Sequence, residues 1–499
     1  MNNVTKKGLQ LAIIVFLIGA LYTHLSLTAN DLSRYALARS LALEGTAEIS
    51  SSLVALTGNT QSIDRAEFNG RIYSDKGPLG GFLGAPFVFL TYHISGGNET
   101  LSIYCTSIAL ATLPVSLMGF FGYLLFRKYN IKSSHAAVLA FFLCMGTNLS
   151  IWSTMMFSHA LTAALVFISF ALLKIKEHDT ISLFVAGLLS GLSVSSDYIA
   201  ALFLPPIFFY CFYQTRLHSA WLVFGALIAG LFPAIYHTVL FGNPLSLPYE
   251  HLAVLQNQHD AGLMGATIPS PSILIRNLFS FNHGLFFYNP VLLLAFISGW
   301  SFYKKHKADA IFLGVSITIF LLFDSALKQH YAHAYGNTWG PRYLVPIIAL
   351  MFIFLAGKGS SSKWMSVILI SVGSVSTALN YYLVNLAFLP PPFTEFNAAF
   401  THGPGLLGMY GGANIYSQSV LLNRALSDYR GEFTALDVLF RDVPEIIDSP
   451  DQWPLIGYLN DILSVPLIPS MAISIGILGA AAFLLYYLLV RPDIKRKST

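Results

Sequence analysis

Long apolar runs separated by short basic connectors dominate the chain. A membrane helix needs about 20 mostly apolar residues, and that test marks spans at 8–29, 101–126, 218–241, 285–303, 363–388 and 469–490. Shorter or paired runs fall at 135–152, 155–174, 181–196, 198–214, 309–326 and 341–357. Together they predict an all-α polytopic membrane protein with about 12 transmembrane helices. The stretch 79–95 is apolar but marginal in length, and it carries Gly80, Gly81, Gly84 and Pro86. Whether it crosses decides the topology.

Cytoplasmic loops concentrate Lys and Arg, and the short connectors here are basic: Arg127, Lys128 and Lys132; Lys174 and Lys176; Arg216; Lys304, Lys305 and Lys307; Lys358 and Lys363. They share one side with Lys6, Lys7 and the tail Arg491, Lys495, Arg496 and Lys497 only if 79–95 does not cross. That side then holds few acids: Glu177, Asp179, Asp309 and Asp493. The expectation is two cytoplasmic termini and 79–95 as a re-entrant or interfacial helix inside a long first outer loop, 30–100. The first apolar run is too long for a signal peptide and lacks a clean cleavage site, so it is expected to remain as an anchor.

Composition agrees with a membrane protein. Of 499 residues 55% are hydrophobic and 10% charged, with mean hydropathy +0.62, whereas soluble domains carry roughly 25% charged residues. A water-soluble enzyme and a nucleic-acid binder are excluded. Cys105, Cys144 and Cys211 lie in apolar stretches and make an odd set, which argues against a disulfide framework or a zinc cage. With the spans nearly free of charge, polar chemistry falls to the outer segments 30–100, 242–284 and 389–468. The division expected is a membrane domain over 1–388, an acidic extracytoplasmic segment over 389–468, and a last span with a basic tail over 469–499.

The first outer loop holds the densest polar cluster: Asp31, Arg34, Asp64, Arg65, Glu67, Arg71, Asp75 and Lys76. Charges at a membrane boundary are costly to desolvate, so these should pair with one another or with a charged ligand such as an anionic lipid head group. Asn30 or Asp31 is positioned to cap a short interfacial helix ending at Gly45, and an aspartate held rigid there equally suits catalysis. Asp75 and Lys76 read either as a surface pair in the turn of Gly77-Pro78 or as site residues beside the 79–95 helix. His159 reads first as a packing residue at the outer end of a span. His330 and His333 have ligand-like spacing but no third ligand. Arg342, in Trp339-Gly340-Pro341-Arg342-Tyr343, puts a guanidinium at the start of a span, where it either anchors head groups or forks onto a phosphate. No nucleotide loop, nucleophile elbow or zincin histidine pair occurs.

These segments together resemble the GT-C superfamily of polytopic glycosyltransferases that use polyprenyl-phosphate sugars, in the branches related to protein O-mannosyltransferases and aminoarabinose transferases. The likeness rests on a first span ending in Asn30-Asp31, on the run Asn69-Gly70-Arg71-Ile72-Tyr73-Ser74-Asp75-Lys76-Gly77-Pro78, on Phe157-Ser158-His159, on Gly284-Leu285-Phe286-Phe287-Tyr288-Asn289-Pro290, and on Trp339-Gly340-Pro341-Arg342-Tyr343-Leu344-Val345-Pro346. It covers roughly residues 8–357. The resemblance implies a GT-C-like fold with juxtamembrane helices in the first outer loop, and an inverting transfer of sugar to an acceptor hydroxyl at the outer face of the plasma membrane. It implies Asp31 and Asp75 as catalytic carboxylates, and Lys76, Arg342, His159 and Arg71 as binders of the donor phosphate. The partners implied are a polyprenyl-phosphate-linked sugar, a glycan, lipid or protein acceptor, and membrane lipids; no cofactor and no metal are expected. Two departures stand out: Asn30 replaces a carboxylate that relatives often carry, and His159 stands where metal-dependent relatives have an acid pair. The competing readings are a lipid-linked saccharide flippase or small-solute transporter, which would place ionisable residues at mid-membrane, and a non-catalytic scaffold for polysaccharide assembly.

Overall fold

The computed structural model describes residues 3–23, 27–62, 64–177, 179–254, 265–279, 284–327, 340–357 and 363–386, with no side-chain description for 363 and 381–386. The acidic segment 389–468, the span 469–490, His330, His333 and Trp339 lie outside the described residues.

The described residues form a helical bundle with one small hairpin. In order it forms α1 (Asn3–Leu21), α2 (Ala29–Leu43), α3 (Ser50–Thr57), β1 (Ala66–Phe68), β2 (Arg71–Tyr73), α4 (Leu79–Ile94), and a long helix α5 (Glu99–Lys128) with a π-turn at Ile108–Thr112. There follow α6 (Ser133–Met145), α7 (Leu149–Trp152), α8 (Ser158–Ile175), α9 (Thr180–Ser196), α10 (Leu204–Thr215), α11 (Ala220–Phe241) and α12 (Pro271–Phe279). The last described elements are α13 (Leu285–Tyr288), α14 (Leu293–Lys305), α15 (Lys307–Ala326), α16 (Val345–Ile353) and α17 (Lys363–Leu386). Among the described residues, five helical runs are long and apolar enough to cross a membrane: Asn3–Leu21, Glu99–Lys128, Ser158–Ile175, Tyr198–Phe241 and Lys307–Ala326. Other spans marked by hydropathy fall on shorter apolar helices, among them Ser133–Met145, Thr180–Ser196 and Arg342–Gly357.

The core sits around α8 and α16. Every residue of α16 is buried, as are 14 of the 18 of α8, because helices apolar on all sides gain most when fully enclosed. Neighbours close on them where side chains are small. Gly187 and Gly191 of α9 face Leu222, Ala226 and Ala229 of α11, so tightly that a Cβ on Gly187 would strike the Leu222 carbonyl. Small residues at such crossings let backbones touch where lipid offers no hydrophobic drive between helices.

The glycines of α4 have the same cause. Gly81 packs on Leu37 of α2, where a Cβ would lie 2.5 Å from the leucine, and Gly84 packs on Ala38 and Thr106. The opposite face of α4 exposes Phe82, Leu83, Phe87, Phe89 and Leu90. With 16 residues, α4 is about 24 Å long at 1.5 Å per residue, and it lies against α2 and α5. Tyr35 and Arg39 of α2 fasten this layer by hydrogen bonds of 2.6 and 3.1 Å to Glu99 at the start of α5.

The expectation of an all-α chain misses the hairpin. Asn69 and Gly70 both adopt positive φ, 51° and 74°, the conformation of a two-residue type I′ turn that an Asn-Gly pair favours. Its register pairs Ala66 with Tyr73 and Phe68 with Arg71. Residues 48–49 flank one edge, where the Ile49 N–H donates to the Ile72 carbonyl at 2.9 Å, and residues 252–253 flank the other, where the Ala253 N–H donates to the Arg65 carbonyl at 3.1 Å. Phe68 and Tyr73 rest edge-on against Phe241 at the end of α11.

Candidate functional site

Asp64 and Asp75 lie just beyond the open end of the hairpin, whose last pair is Ala66 with Tyr73. Lys76 bridges the two carboxylates: its Nζ lies 2.7 Å from Asp75 and 3.2 Å from Asp64. Asp75 is almost fully buried, and its other oxygen accepts a 3.0 Å hydrogen bond from Ser33 of α2, whose hydroxyl also meets that of Ser74 at 2.8 Å. Gly77 explains why this turn carries no side chain after the lysine. A Cβ there would lie 2.5 and 2.7 Å from the carbonyl oxygens of Ser195 and Ser196 at the end of α9.

The first turn of α2 is the hub of the site. Its cap is Thr28, not the expected Asn30 or Asp31: Thr28 and Asp31 form a reciprocal capping box, with Asp31 as the N3 carboxylate reaching back. Thr28 donates to Asp31 Oδ2 from its hydroxyl at 2.8 Å and its N–H at 3.3 Å. Oδ1 is buried and has no hydrogen-bond partner. Burial pushes the Asp31 carboxyl up to about 7, with the Thr28 hydrogen bonds and the nearby Arg34 acting against it. One turn on, Arg34 donates to Asn30 and, at 3.0 Å, to the hydroxyl of Ser158 at the start of α8.

Beyond Ser158 the cluster continues to Asp197, which follows α9. The Asp197 carboxylate accepts from Ser158 at 3.3 Å and lies 3.3 Å from Nδ1 of buried His159. The His159 ring sits edge-on to Trp152 at 5.1 Å and to Tyr343 at 5.9 Å. Arg342 lies beside this stack, 4.9 Å from the Tyr343 ring centre and donating to its hydroxyl at 3.1 Å. Gly340, at φ +77°, holds the chain in a bend that only glycine adopts readily, packed against Asn148 and Tyr288.

Burial and charge act in opposition across the cluster. Burial pushes Asp64 up, but Lys76, Arg342 and Arg34 outweigh it and hold the carboxyl below its usual range. Asp75 is pushed up by burial and by Asp64, against the pull of Lys76. Lys76 ends above its usual value, because the two aspartates overcome the burial that lowers it. Three cations, Arg34, Lys76 and Arg342, thus stand among Asp64, Asp75 and Asp197, while burial raises both Asp31 and Asp75.

Of the residues singled out from sequence, Asp31, Asp75, Lys76, His159 and Arg342 fall in this connected region. Arg71 does not: it is exposed on β2 beside the hairpin turn. Sequence reasoning left out Asp64 and Arg34 as site members, and missed Ser33, Ser158, Asp197 and Tyr249. Tyr249, in the segment after α11, stacks edge-on to Tyr198 at 5.6 Å, and burial with the charges of Asp197 and Asp75 pushes its phenol well up. Asp64 had a legible signal in its place just before the hairpin; Asp197 and Ser158 are brought in only by helix packing. Among the described residues no three His, Cys, Asp or Glu side chains converge as a metal site. A buried carboxylate with an unused oxygen, set among cations, can accept a proton while a neighbouring anion is stabilised.

No protein-family model and no curated protein matches the sequence. Among solved structures the chain is similar to ArnT, an aminoarabinose transferase from Cupriavidus metallidurans, at 15% identity and TM-score 0.45, over 96% of this chain and 76% of that one. It is also similar to the archaeal oligosaccharyltransferase AglB from Archaeoglobus fulgidus, solved with an inhibitory peptide and a dolichol-phosphate, at 12% identity and TM-score 0.42, over 80% of this chain and 58% of that one. Both are proteins of the GT-C superfamily.

Proposed function

We propose that the chain is an inverting membrane glycosyltransferase that moves a sugar from a polyprenyl-phosphate donor to an acceptor hydroxyl at the outer face of the plasma membrane. The observation that carries this reading is the Asp31 carboxyl, buried, pushed up to about 7 and with Oδ1 unpartnered, on the helix turn that also binds the Asp75–Lys76 pair through Ser33. In the proposed step the acceptor oxygen attacks the anomeric carbon and Asp31 takes its proton. The bond from that carbon to the phosphate oxygen breaks, and polyprenyl phosphate leaves as an anion. Lys76 and Arg342 stabilise that anion; an ammonium has three donors, and Asp64 and Asp75 engage two of those on Lys76. Asp75 orients Lys76. The proposed topology has about 12 spans and both termini inside, with α2 and α4 as juxtamembrane helices.

A transporter would be expected to carry ionisable groups at mid-membrane. Asp197 instead closes the end of α9, and Asp324 lies in the last turn of α15, accepting from Asn277 at 2.6 Å. The test is lipid-linked sugar and glycan profiling of a deletion strain complemented with wild type or Asp31→Asn. Deletion should accumulate a donor while one glycoconjugate loses a residue, and only wild type should restore it. Unchanged profiles on deletion would end the transferase reading.

A further inference from the structure

The two carboxylates on Lys76 are held very differently. Asp75 is fixed on its other side by Ser33 and is almost fully enclosed. Asp64 is 20% exposed in its side chain, follows the exposed stretch around residues 59–61, and has Lys76 as the hydrogen-bonding partner of its carboxylate. Its position is nevertheless the one facing the cations, since it completes a balance of three aspartates against Arg34, Lys76 and Arg342. A phosphate arriving at Lys76 adds negative charge to a cluster that already holds at least as many carboxylates as cations, and like charges in a buried site oppose one another strongly. One anion must give way, and although Arg34 and Arg342 also favour its charge, Asp64 is the one with solvent access and no second side chain such as Ser33 to fix it in place.

Resting on the proposed transfer from a lipid phosphate, we propose that Asp64 is a displaceable internal anion, which holds Lys76 in the empty site and yields it to the phosphate of the bound lipid. The charge on the phosphate changes during the reaction. A phosphodiester donor carries a single negative charge, whereas the released phosphomonoester carries about 1.5 to 2 at neutral pH. The phosphate therefore competes best for Lys76 as the leaving group forms, which favours the transition state over the bound donor. After transfer, return of Asp64 to Lys76 offsets the tighter hold on the product and speeds its release. Asp64 is thus a positioning residue that sets the affinity for lipid phosphate, distinct from the carboxylate that takes the proton.

The experiment measures binding of undecaprenyl phosphate to the full chain in nanodiscs. Asp64→Asn should bind about tenfold more tightly than wild type, the scale of one relieved charge-assisted competition. Asp64→Glu, which keeps the competing charge, should resemble wild type, and the gain should vanish in a Lys76→Met background. A second measurement uses the unmodified protein: carbodiimide coupling of Asp64, read by peptide mass spectrometry, should increase when undecaprenyl phosphate is added, because its carboxylate leaves Lys76. If Asp64→Asn binds no more tightly, or coupling does not rise, while Lys76→Met still weakens binding, the displaceable anion is wrong and the phosphate site stands. If neither Lys76→Met nor Arg342→Ala affects binding, the phosphate site is elsewhere and both ideas fall.

Discussion

Helix α8 links two buried carboxylate clusters that differ in one respect. At its first residue, Ser158 joins the cluster of Arg34, Asp197 and, through α2, Asp31. At Lys174, 16 residues on and about 24 Å away at 1.5 Å per residue, the chain meets Asp309. Asp309 has both oxygens engaged: Oδ1 accepts from Tyr210 at 2.8 Å and from Lys174 at 3.4 Å, and Oδ2 accepts from Tyr129 at 3.0 Å and lies 3.1 Å from the Lys174 ammonium. Asp31 has one oxygen engaged by Thr28 and the other with no partner. A carboxylate with every lone pair answered fastens helices together; one with an open oxygen in the same degree of burial retains the capacity to take a proton.

The comparison breaks most sharply at Asp309. Asp309→Ala leaves two buried phenols without their acceptor, while the partly exposed Lys174 keeps Glu177 at 3.8 Å, and the cost should be about 1–3 kcal/mol for each phenol. Thermal melting in detergent should show that loss, while transfer per folded molecule stays unchanged. A variant as stable as wild type would mean that saturation is not what holds this end together.

Asp31 should behave in the opposite way. Asp31→Asn keeps an oxygen for the Thr28 cap yet cannot accept a proton, so transfer should fall by at least about 10²-fold with folding retained. The pH dependence fixes the sign. The Asp31 carboxyl is raised from its ordinary 3.8 to about 7, so between those values the folded protein keeps a proton that the unfolded chain has lost. Stability contributed by this group therefore falls as pH rises through that window, and stays low above about 7. Activity should rise through the same upper value as the base ionises. Relative to wild type, Asp31→Asn should gain in melting temperature between pH 5 and pH 8; a constant difference would contradict the burial assigned to Asp31.

Gly77→Ala sharpens the contrast by leaving both carboxylates in place. The added methyl meets two backbone carbonyls of α9, which cannot swing aside as a side chain can. Overpacking of this kind costs roughly 1–3 kcal/mol, and moving the turn displaces Lys76 from Asp64 and Asp75. Melting should show the first effect and a weakened binding of undecaprenyl phosphate the second, whereas an equal substitution at Gly230, where a Cβ meets nothing within 4 Å, should show neither.

Much of the fold was legible because membrane helices announce themselves in one dimension: the apolar run at 101–126 lies within α5, and those at 218–241 and 79–95 match α11 and α4 to within two residues and one. The glycines of α4, read from sequence as interruptions, are instead its contact face with α2. The chemistry at 30–76 was partly legible because it is local, running through a helix start and a hairpin whose Asn69-Gly70 turn leaves Asp64 and Asp75 just beyond its open end. What could not be read was whatever needs two distant elements, such as Arg34 reaching Ser158 across 124 positions. Hydropathy says that such helices pack, and does not say which polar side chains meet.

The smallest effect tests how the helix cap and the base are joined. Thr28 satisfies the first turn of α2, and its hydroxyl also donates to the ionised form of Asp31, which lowers that carboxyl against the upward push of burial. Thr28→Ala removes the hydroxyl and leaves the backbone donor, so the loss of stability should be about 1 kcal/mol, the usual value of a cap. The ionised carboxylate loses a donor at the same time, and its pKa must move further up. The pH at which transfer reaches half its maximum should therefore rise above the wild-type midpoint, with the plateau at high pH largely retained. Thr28→Ser keeps the hydroxyl and should restore both the melting temperature and the midpoint. If Thr28→Ala lost stability with no movement of the midpoint, the capping box would be structural alone, and a carboxylate other than Asp31 would have to control the pH profile.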